Sequence, residues 1–532
     1  MFRTNAFRFT VLIALLLSLA ACAEPEAAPP PPPTAVSAPP SPVPTPAELP
    51  TAVPVADATP GYVAQLEEGG CPEQLAEFDL DSFDVTCAYL TVPEDRLNPD
   101  RASVELAVAI IPSRSANPRP DPIIYLEGGP GGSALLGISS WIDSPLRDDR
   151  ALILFDQRGT GLSLPSLNCV EEELAEDDEA ATQAVEACRE RLIADGVDLN
   201  AYTTAANAAD VADLIEQLGY DEVNLFGISY GTRLALAVLR DHAAGVRSVI
   251  LDSPYPPNVA ATNEQALNAG MAIQAMLRGC AADSDCNEAF PDLEKRFYAL
   301  LERLNDEPLM AELVDLDGEV SEAEVTGEDL VSRLSDWLYV TDYVGYMPLM
   351  IAELEEGITD TYAFLASEGD TGYRRQSDDE EGDLSDSEGM FYSLECREEA
   401  PFGSIDDARD VAQTLPEPLR EPLIAQVEGF LSTCDIWQVD AAMPREGQAV
   451  RSAIPTLVLA GEYDPVTPPW WGEIAAETLT NSYFYVLPGG GHAVVDASEC
   501  VMQITQAFLN TPTAEPDASC LEAVRPVFEL GR

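Results

Sequence analysis

Residues 224–233 read NLFGISYGTR. An apolar run stops at Gly227, Ser229 sits between two glycines, and the helix-forming stretch TRLALAVLRDH follows. A G-x-S-x-G pentapeptide carries little information alone. Placed between a strand and a helix, and occurring once in the chain, it demands a tight turn with a strained serine and small neighbours. Such a turn exposes the serine Oγ and leaves backbone N–H groups at a helix start, where they can hold an anion. The rest of the chain must supply the sheet on which that turn is built.

It does so in two pieces. SVELAVAIIP, PIIYLEGG and ALILFDQRG are β-rich apolar runs, each ended by glycine, proline or charge. NAADVADLIEQLGY places Val211, Leu214, Ile215 and Leu218 at i, i+3, i+4 and i+7, with Asn207 able to cap its start and Gly219 its end. Further strand and helix signals alternate as far as VRSVILDSP. Strands separated by helices predict an α/β fold: a mostly parallel sheet with helices on both faces. From SPYPPN (253–258) to about residue 450 the chain reads as largely helical and acidic, with SDDEEGDLSDSEG (377–389) as an exposed loop. IPTLVLAGEYDPVTPP and SYFYVLPGGGHAVV then restore strand, turn and helix. The expected division is a core over 60–255, an inserted helical cap over 256–450 and the rest of the core over 451–532. Ligands of open α/β sheets bind at the carboxyl ends of the strands, beneath such a cap.

A serine alcohol needs a base, and the chain has two histidines. His242 lies at the far end of the helix that begins after Ser229. His492 lies in the glycine-rich loop LPGGGHAVV after an apolar strand, where catalytic side chains are commonly carried. The imidazole in turn needs a carboxylate to fix its tautomer. Asp464, in LAGEYDPVTP, ends the strand before the histidine strand and is preferred; Asp252, in VILDSP, is the fallback. Backbone N–H groups for an oxyanion are expected from Tyr230 and from Gly129 in YLEGGPGGS.

The chain holds 93 acidic and 28 basic residues, with Lys295 as its one lysine, so it lacks the basic footprint of a nucleic-acid binder. That acidity reads first as a strongly solvated surface. At the N-terminus, Arg3 and Arg8 precede FTVLIALLLSLA, and LAAC closes the run at Cys22. The apolar run is too short for a permanent span. LAAC resembles a bacterial lipobox, which implies a signal peptide over 1–21, a lipid on the Cys22 thiol, and export to a membrane surface. Residues 22–59 are proline-dense and read as an extended tether. Ten further cysteines remain, an even number that suggests disulfides in an exported chain. Pairing neighbours in sequence order is one connectivity among several. None forms a C-x-x-C or Cys/His cluster, and no metal or organic cofactor is expected.

GGPGGS, FDQRGTGLS, GISYGTR, GEYDPVTP and GGGHAV, in this order, resemble the α/β-hydrolase serine peptidase family of proline iminopeptidases and tripeptidyl aminopeptidases. The likeness runs through roughly residues 80–260 and 450–525, and is greatest to exported tripeptidyl aminopeptidases with a TAP-like C-terminal segment. It implies Ser229 as nucleophile, Asp464 as acid and His492 as base, with Gly129 and Tyr230 at the oxyanion positions. It also implies that Asp156 and Arg158 form a buried pair that fixes the DQRGTG turn. Many relatives carry His-Gly or Asn-Pro where this chain has Glu127-Gly128; Glu127 either braces the loop or lines the pocket. The activity implied is removal of residues or short peptides from a free N-terminus. An ammonium-binding carboxylate is then needed, and Glu398 and Glu399 in MFYSLECREEAPF are the candidates. An esterase or thioesterase on the same scaffold, and a surface binding protein that has lost catalysis, are the other readings.

Overall fold

The computed structural model describes residues 62–531 apart from 77, 173–174, 176–177, 315–319 and 370–382. The export signal, Cys22, the tether and the first part of the acidic loop expected at 377–389 lie outside the described residues. Eleven strands occur among those described. They are β1 (Gln65–Gly69), β2 (Thr86–Pro93), β3 (Ser103–Ile111), β4 (Ile123–Leu126), β5 (Leu152–Phe155), β6 (Val223–Ile228), β7 (Val246–Asp252), β8 (Leu309–Val314), β9 (Val320–Val325), β10 (Thr456–Gly461) and β11 (Ser482–Leu487). Nine of them form one sheet in the order β1-β2-β3-β5-β4-β6-β7-β10-β11, while β8 and β9 form a separate hairpin. β1, β2, β3 and β5 pair antiparallel at one edge. From β5 to β11 every pairing is parallel.

The central strands are apolar throughout because both their faces are covered. β4 is IIYL and β5 is LILF, and every residue of both is buried. Along β6, Leu225 packs into one apolar cluster and Phe226 into another on the opposite face. Burial of each such side chain contributes about 1.5–3 kcal/mol. Helices Asp178–Ala194, Thr204–Leu218 and Tyr230–Asp241 cover the first face; Ile138–Asp143 and Glu499–Asn510 cover the second. Helix Thr204–Leu218 begins earlier than the sequence suggests: its cap is Thr203, whose hydroxyl accepts from the Ala206 N–H, and Gly219 ends it at φ 71°. Asn207 lies inside the first turn, and its amide nitrogen donates to Gln157 and to the Tyr230 hydroxyl at 3.1 Å each.

Between β7 and β10 the chain is mainly helical and builds an apolar cluster of its own from Leu300, Leu334, Met350 and Leu419 among others. Helix Glu388–Glu398 differs, since Met390 and Leu394 pack with the cluster of the main sheet. The β8–β9 hairpin departs from the helical reading of this region. Its strands are six residues each, too short for their alternation to be told from helical periodicity. The ten cysteines pair in sequence order: 71–87, 169–188, 280–286, 396–434 and 500–520. Five disulfides suggest an oxidising, extracytoplasmic compartment. Among the described residues no helix is long and apolar enough to cross a membrane.

Candidate active site

Ser229 joins β6 to helix Tyr230–Asp241 at φ 55°, ψ −124°. A non-glycine residue held there carries about 1–3 kcal/mol of strain, and its neighbours over-determine it. The Ser229 N–H donates to the Asp252 carbonyl at 3.0 Å, and the Ser229 carbonyl accepts from the Thr232 N–H at 2.9 Å and hydroxyl at 2.6 Å. The flanking glycines are steric necessities. A Cβ on Gly227 would lie 2.3 Å from the Gly231 carbonyl oxygen, and one on Gly231 would lie 1.9 Å from that of Leu126.

His492 follows β11, and Asp464 follows β10, one strand inward. The Asp464 Oδ2 and His492 Nδ1 atoms are 2.8 Å apart, and both side chains are fully buried. Asp464 Oδ1 accepts the Val466 and Thr467 N–H groups at 2.9 and 2.8 Å, and Oδ2 also accepts the Thr467 hydroxyl at 2.8 Å. That hydroxyl lies 3.2 Å from His492 Nδ1, so Thr467 sits astride the pair. Among the described residues His492 Nε2 is buried without a hydrogen-bond partner. It is the ring nitrogen that Asp464 does not engage; in apo structures the bond between such a nitrogen and a serine is commonly long and tightens only when substrate is present. Asp252, the fallback carboxylate, serves the backbone instead, accepting the Val494 and Val495 N–H groups at 2.9 Å each. Burial raises its pKa to about 6. Asp252 thus ties the histidine loop to the strand whose last carbonyl holds Ser229. His242 caps the other end of the helix that begins after Ser229, about 18 Å along its axis.

The loop after β4 faces the serine. A Cβ on Gly128 would lie 3.1 Å from the Ser229 Cβ. Gly129 is exposed at φ 102°. Neither its N–H nor that of Tyr230 donates to a protein acceptor among the described hydrogen bonds. Glu127 braces this loop: its Oε1 accepts from the Gly128 N–H at 2.8 Å and the Tyr125 hydroxyl at 2.9 Å. Enclosure raises the Glu127 pKa. Asp156 braces it too, accepting from Ser133 Oγ, the Leu135 N–H and the Leu162 N–H. The expected Asp156–Arg158 pair does not form. The Arg158 guanidinium points the other way and grips Asp210 at 2.7 and 2.8 Å. From the insert, the Ser387 N–H donates to the Gly131 carbonyl at 3.0 Å, and the Ser133 N–H to that of Ser385 at 2.8 Å.

Residues 121–497 match the family described as the alpha/beta hydrolase fold. The chain belongs to the α/β-hydrolase family. This hydrolase is 25% identical over 467 residues to serine protease Hip1 of Mycobacterium tuberculosis, covering 81% of the chain and 86% of that protein. It is 31% identical over 202 residues to the tripeptidyl aminopeptidase of Streptomyces coelicolor, covering 33% and 36%. The solved proline iminopeptidase of Mycobacterium smegmatis aligns at TM-score 0.35 and 16% identity, covering 82% of the chain and 98% of that protein.

In the hydrolase the two candidate substrate carboxylates are already engaged. Glu398 accepts from the Thr204 N–H at 2.9 Å, the Thr204 hydroxyl at 2.8 Å and Arg233 Nε at 3.2 Å. Glu399 receives Arg233 Nη1 at 2.6 Å. One turn earlier, Glu395 accepts the Tyr255 hydroxyl at 3.2 Å, and no cation lies within ion-pair distance among the described residues. Burial, then the charge of Glu399, raises the Glu395 pKa to about 8. Sequence reasoning passed over three residues here. Glu395 stood beside the two glutamates that were chosen, and Thr467 stood in the VTPP turn. Tyr339, whose ring stacks on His492 with centroids 4.2 Å apart, gave no signal, because it lies 153 positions away in sequence and only the fold brings it there.

Proposed function

We propose that this hydrolase is an exported serine peptidase, anchored by a lipid on Cys22, that releases residues or short peptides from a free N-terminus. One observation carries the catalytic part. A buried Asp464–His492 pair leaves Nε2 unpartnered, on a loop tied through Asp252 to the strained serine turn. Ser229 Oγ attacks the scissile carbonyl while His492 Nε2 takes its proton. Asp464 holds the imidazole tautomer and stabilises the imidazolium. The N–H groups of Gly129 and Tyr230 receive the oxyanion. His492 then passes the proton to the leaving amine, and water releases the acyl group from Ser229. This scheme uses no metal or cofactor.

The exopeptidase part draws on carboxylate chemistry and on the names of the relatives, a serine protease and a tripeptidyl aminopeptidase. A substrate ammonium suits a carboxyl that is not already paired with a protein cation, which selects Glu395; Arg233 is spent on Glu398 and Glu399, and the arriving ammonium draws the proton off the raised Glu395 carboxyl. Glu398 and Glu399 act behind it through Arg233, and Glu127 braces the oxyanion loop. The cap over the strand ends admits chain termini more readily than folded loops.

The test is hydrolysis of free and N-acetylated Ala-Pro-Ala and Pro p-nitroanilides beside a p-nitrophenyl ester, with Ser229→Ala as control. Turnover of free amides that acetylation abolishes is expected. Turnover of the ester alone would leave a capped esterase. Absence of both turnover and fluorophosphonate labelling at Ser229 would leave a binding protein. Glu395→Gln should raise KM for the free tripeptide substrate about 10-fold or more, the worth of a charge-assisted hydrogen bond; an unchanged KM would remove Glu395 from the ammonium site.

A further inference from the structure

We propose that Tyr339, a residue of the insert, is the specificity-determining contact for the leaving group of the substrate. The inference rests on the serine-hydrolase reading above. Helix Gly327–Tyr339 ends against the histidine loop and is fixed there by backbone contacts. The His492 N–H donates to the Tyr339 carbonyl at 2.8 Å, and the Gly491 N–H donates to Thr341 Oγ1 at 3.0 Å. A Cβ on Gly491 would fall 2.4 Å from the Leu338 carbonyl oxygen, so no side chain can wedge the two apart. The Tyr339 ring lies on the imidazole at an interplanar angle of 22°.

What sets Tyr339 apart is its exposure. Trp337 and Leu338 are 3% and 0% exposed, whereas Tyr339 and Val340 are 37% and 38% exposed. The ring thus rests on the imidazole in a residue that stays about one-third exposed. The leaving nitrogen must come within about 3 Å of His492 Nε2 to receive its proton. Whatever side chain that nitrogen carries is then within van der Waals reach of a ring stacked on the same imidazole. The acyl side of the substrate, bonded to Ser229, faces the oxyanion loop instead. Tyr339 therefore favours an apolar or aromatic residue immediately after the scissile bond.

The experiment compares Ala-Pro-Ala-X-amides with X as Gly, Leu or Phe, using the full chain and the variants Tyr339→Ala and Tyr339→Phe. The native protein should prefer Phe and Leu to Gly in kcat/KM. Tyr339→Ala should reduce that preference about tenfold, the scale of one lost apolar contact in a pocket, and Tyr339→Phe should retain it. Partition of the acyl-enzyme between water and added Phe-amide or Gly-amide gives the same ratio in the reverse direction and does not depend on how active the variant is. A loss of equal size on all three substrates, with an unchanged partition ratio, would overturn the proposal and make Tyr339 a prop for His492. Failure of the native protein to turn over any substrate through Ser229 would overturn the hydrolase reading, and this one with it.

Discussion

Asp464 has its acceptor sites filled by two backbone N–H groups, the Thr467 hydroxyl and the imidazole. Such a carboxylate is held in one orientation and holds the ring in turn. Asp464→Asn keeps the shape but reverses the tautomer, and should lower kcat by about 10⁴-fold. Thr467→Val removes one donor from the same oxygen and should cost about 10-fold or more in kcat, with the far-UV spectrum and Tm little moved; a variant as active as the parent would reduce Thr467 to packing. At this scale the sequence was legible where residue types were scarce. Two histidines made His492 stand out, and one G-x-S-x-G made Ser229 stand out. Carboxylates are too many for the same logic, and the resemblance in DQRGTG pointed Arg158 to Asp156 in place of its true partner. Asp210, 52 residues away in sequence, takes it because it lies on the helix packed against that turn.

Among the elements, the glycines around Ser229 carry the sharpest expectation. Gly231→Ala would press a methyl group into the Leu126 carbonyl at the end of β4. The serine turn and the loop after β4 would have to separate, so fluorophosphonate labelling of Ser229 should be lost and Tm should fall by several degrees. Full labelling would show that the strand ends yield more easily than the contact implies. Helix Glu388–Glu398 depends on the 396–434 disulfide, which closes a 38-residue span against helix Glu417–Trp437. Replacing both cysteines by alanine should cost about 4 kcal/mol by the chain-entropy argument, read as a lowered melting temperature relative to the parent. The strands of the sheet were readable because double burial writes them as apolar runs. The hairpin was not, since its strands lie at the surface of the insert and carry glutamates in place of a buried pattern.

For the molecule as a whole, a formal charge of −65 and a set of enclosed carboxylates act in the same direction. Burial raises the pKa values of Asp156 and Asp252 to about 6 and that of Glu395 to about 8. Between their ionisation in the unfolded chain and in the folded one, the folded protein holds more protons. Its stability should therefore fall as pH rises from about 4 to about 8 and level off above that. Asp121 and Glu171 are shifted downward, Asp121 by its bonds to Asn224 and Arg150 against burial, Glu171 by Arg191 against burial. Their contribution changes below about pH 4.5, outside that window. Added salt screens surface repulsion, with a Debye length of about 10 Å at 0.1 M and 3 Å at 1 M. Melting curves at pH 5 and 8, each in low and high NaCl, should show the pH 8 sample gaining more from salt. Equal gains would mean that the repulsion is not concentrated in the fold. The two-piece sheet was visible in sequence because apolar strands return after a long helical stretch. The fit of the insert on the core was not, because part of it is made of carbonyl and N–H groups common to every residue and the rest joins side chains far apart in sequence.

The backbone bonds between Gly131–Ser133 and Ser385–Ser387 have a consequence for how such proteins diversify. The loop beside Ser229 and the insert are joined by one antiparallel β-bridge, Gly132 to Asp386. A chimera that carries a relative's insert between β7 and β10 keeps those bonds only where the new backbone follows the same path, and otherwise arrives with a slack loop next to Ser229 however well it binds a new substrate. Lineages with this architecture would then broaden their diet by point changes within the insert they inherited, and wholesale exchange of lids should be rare among them.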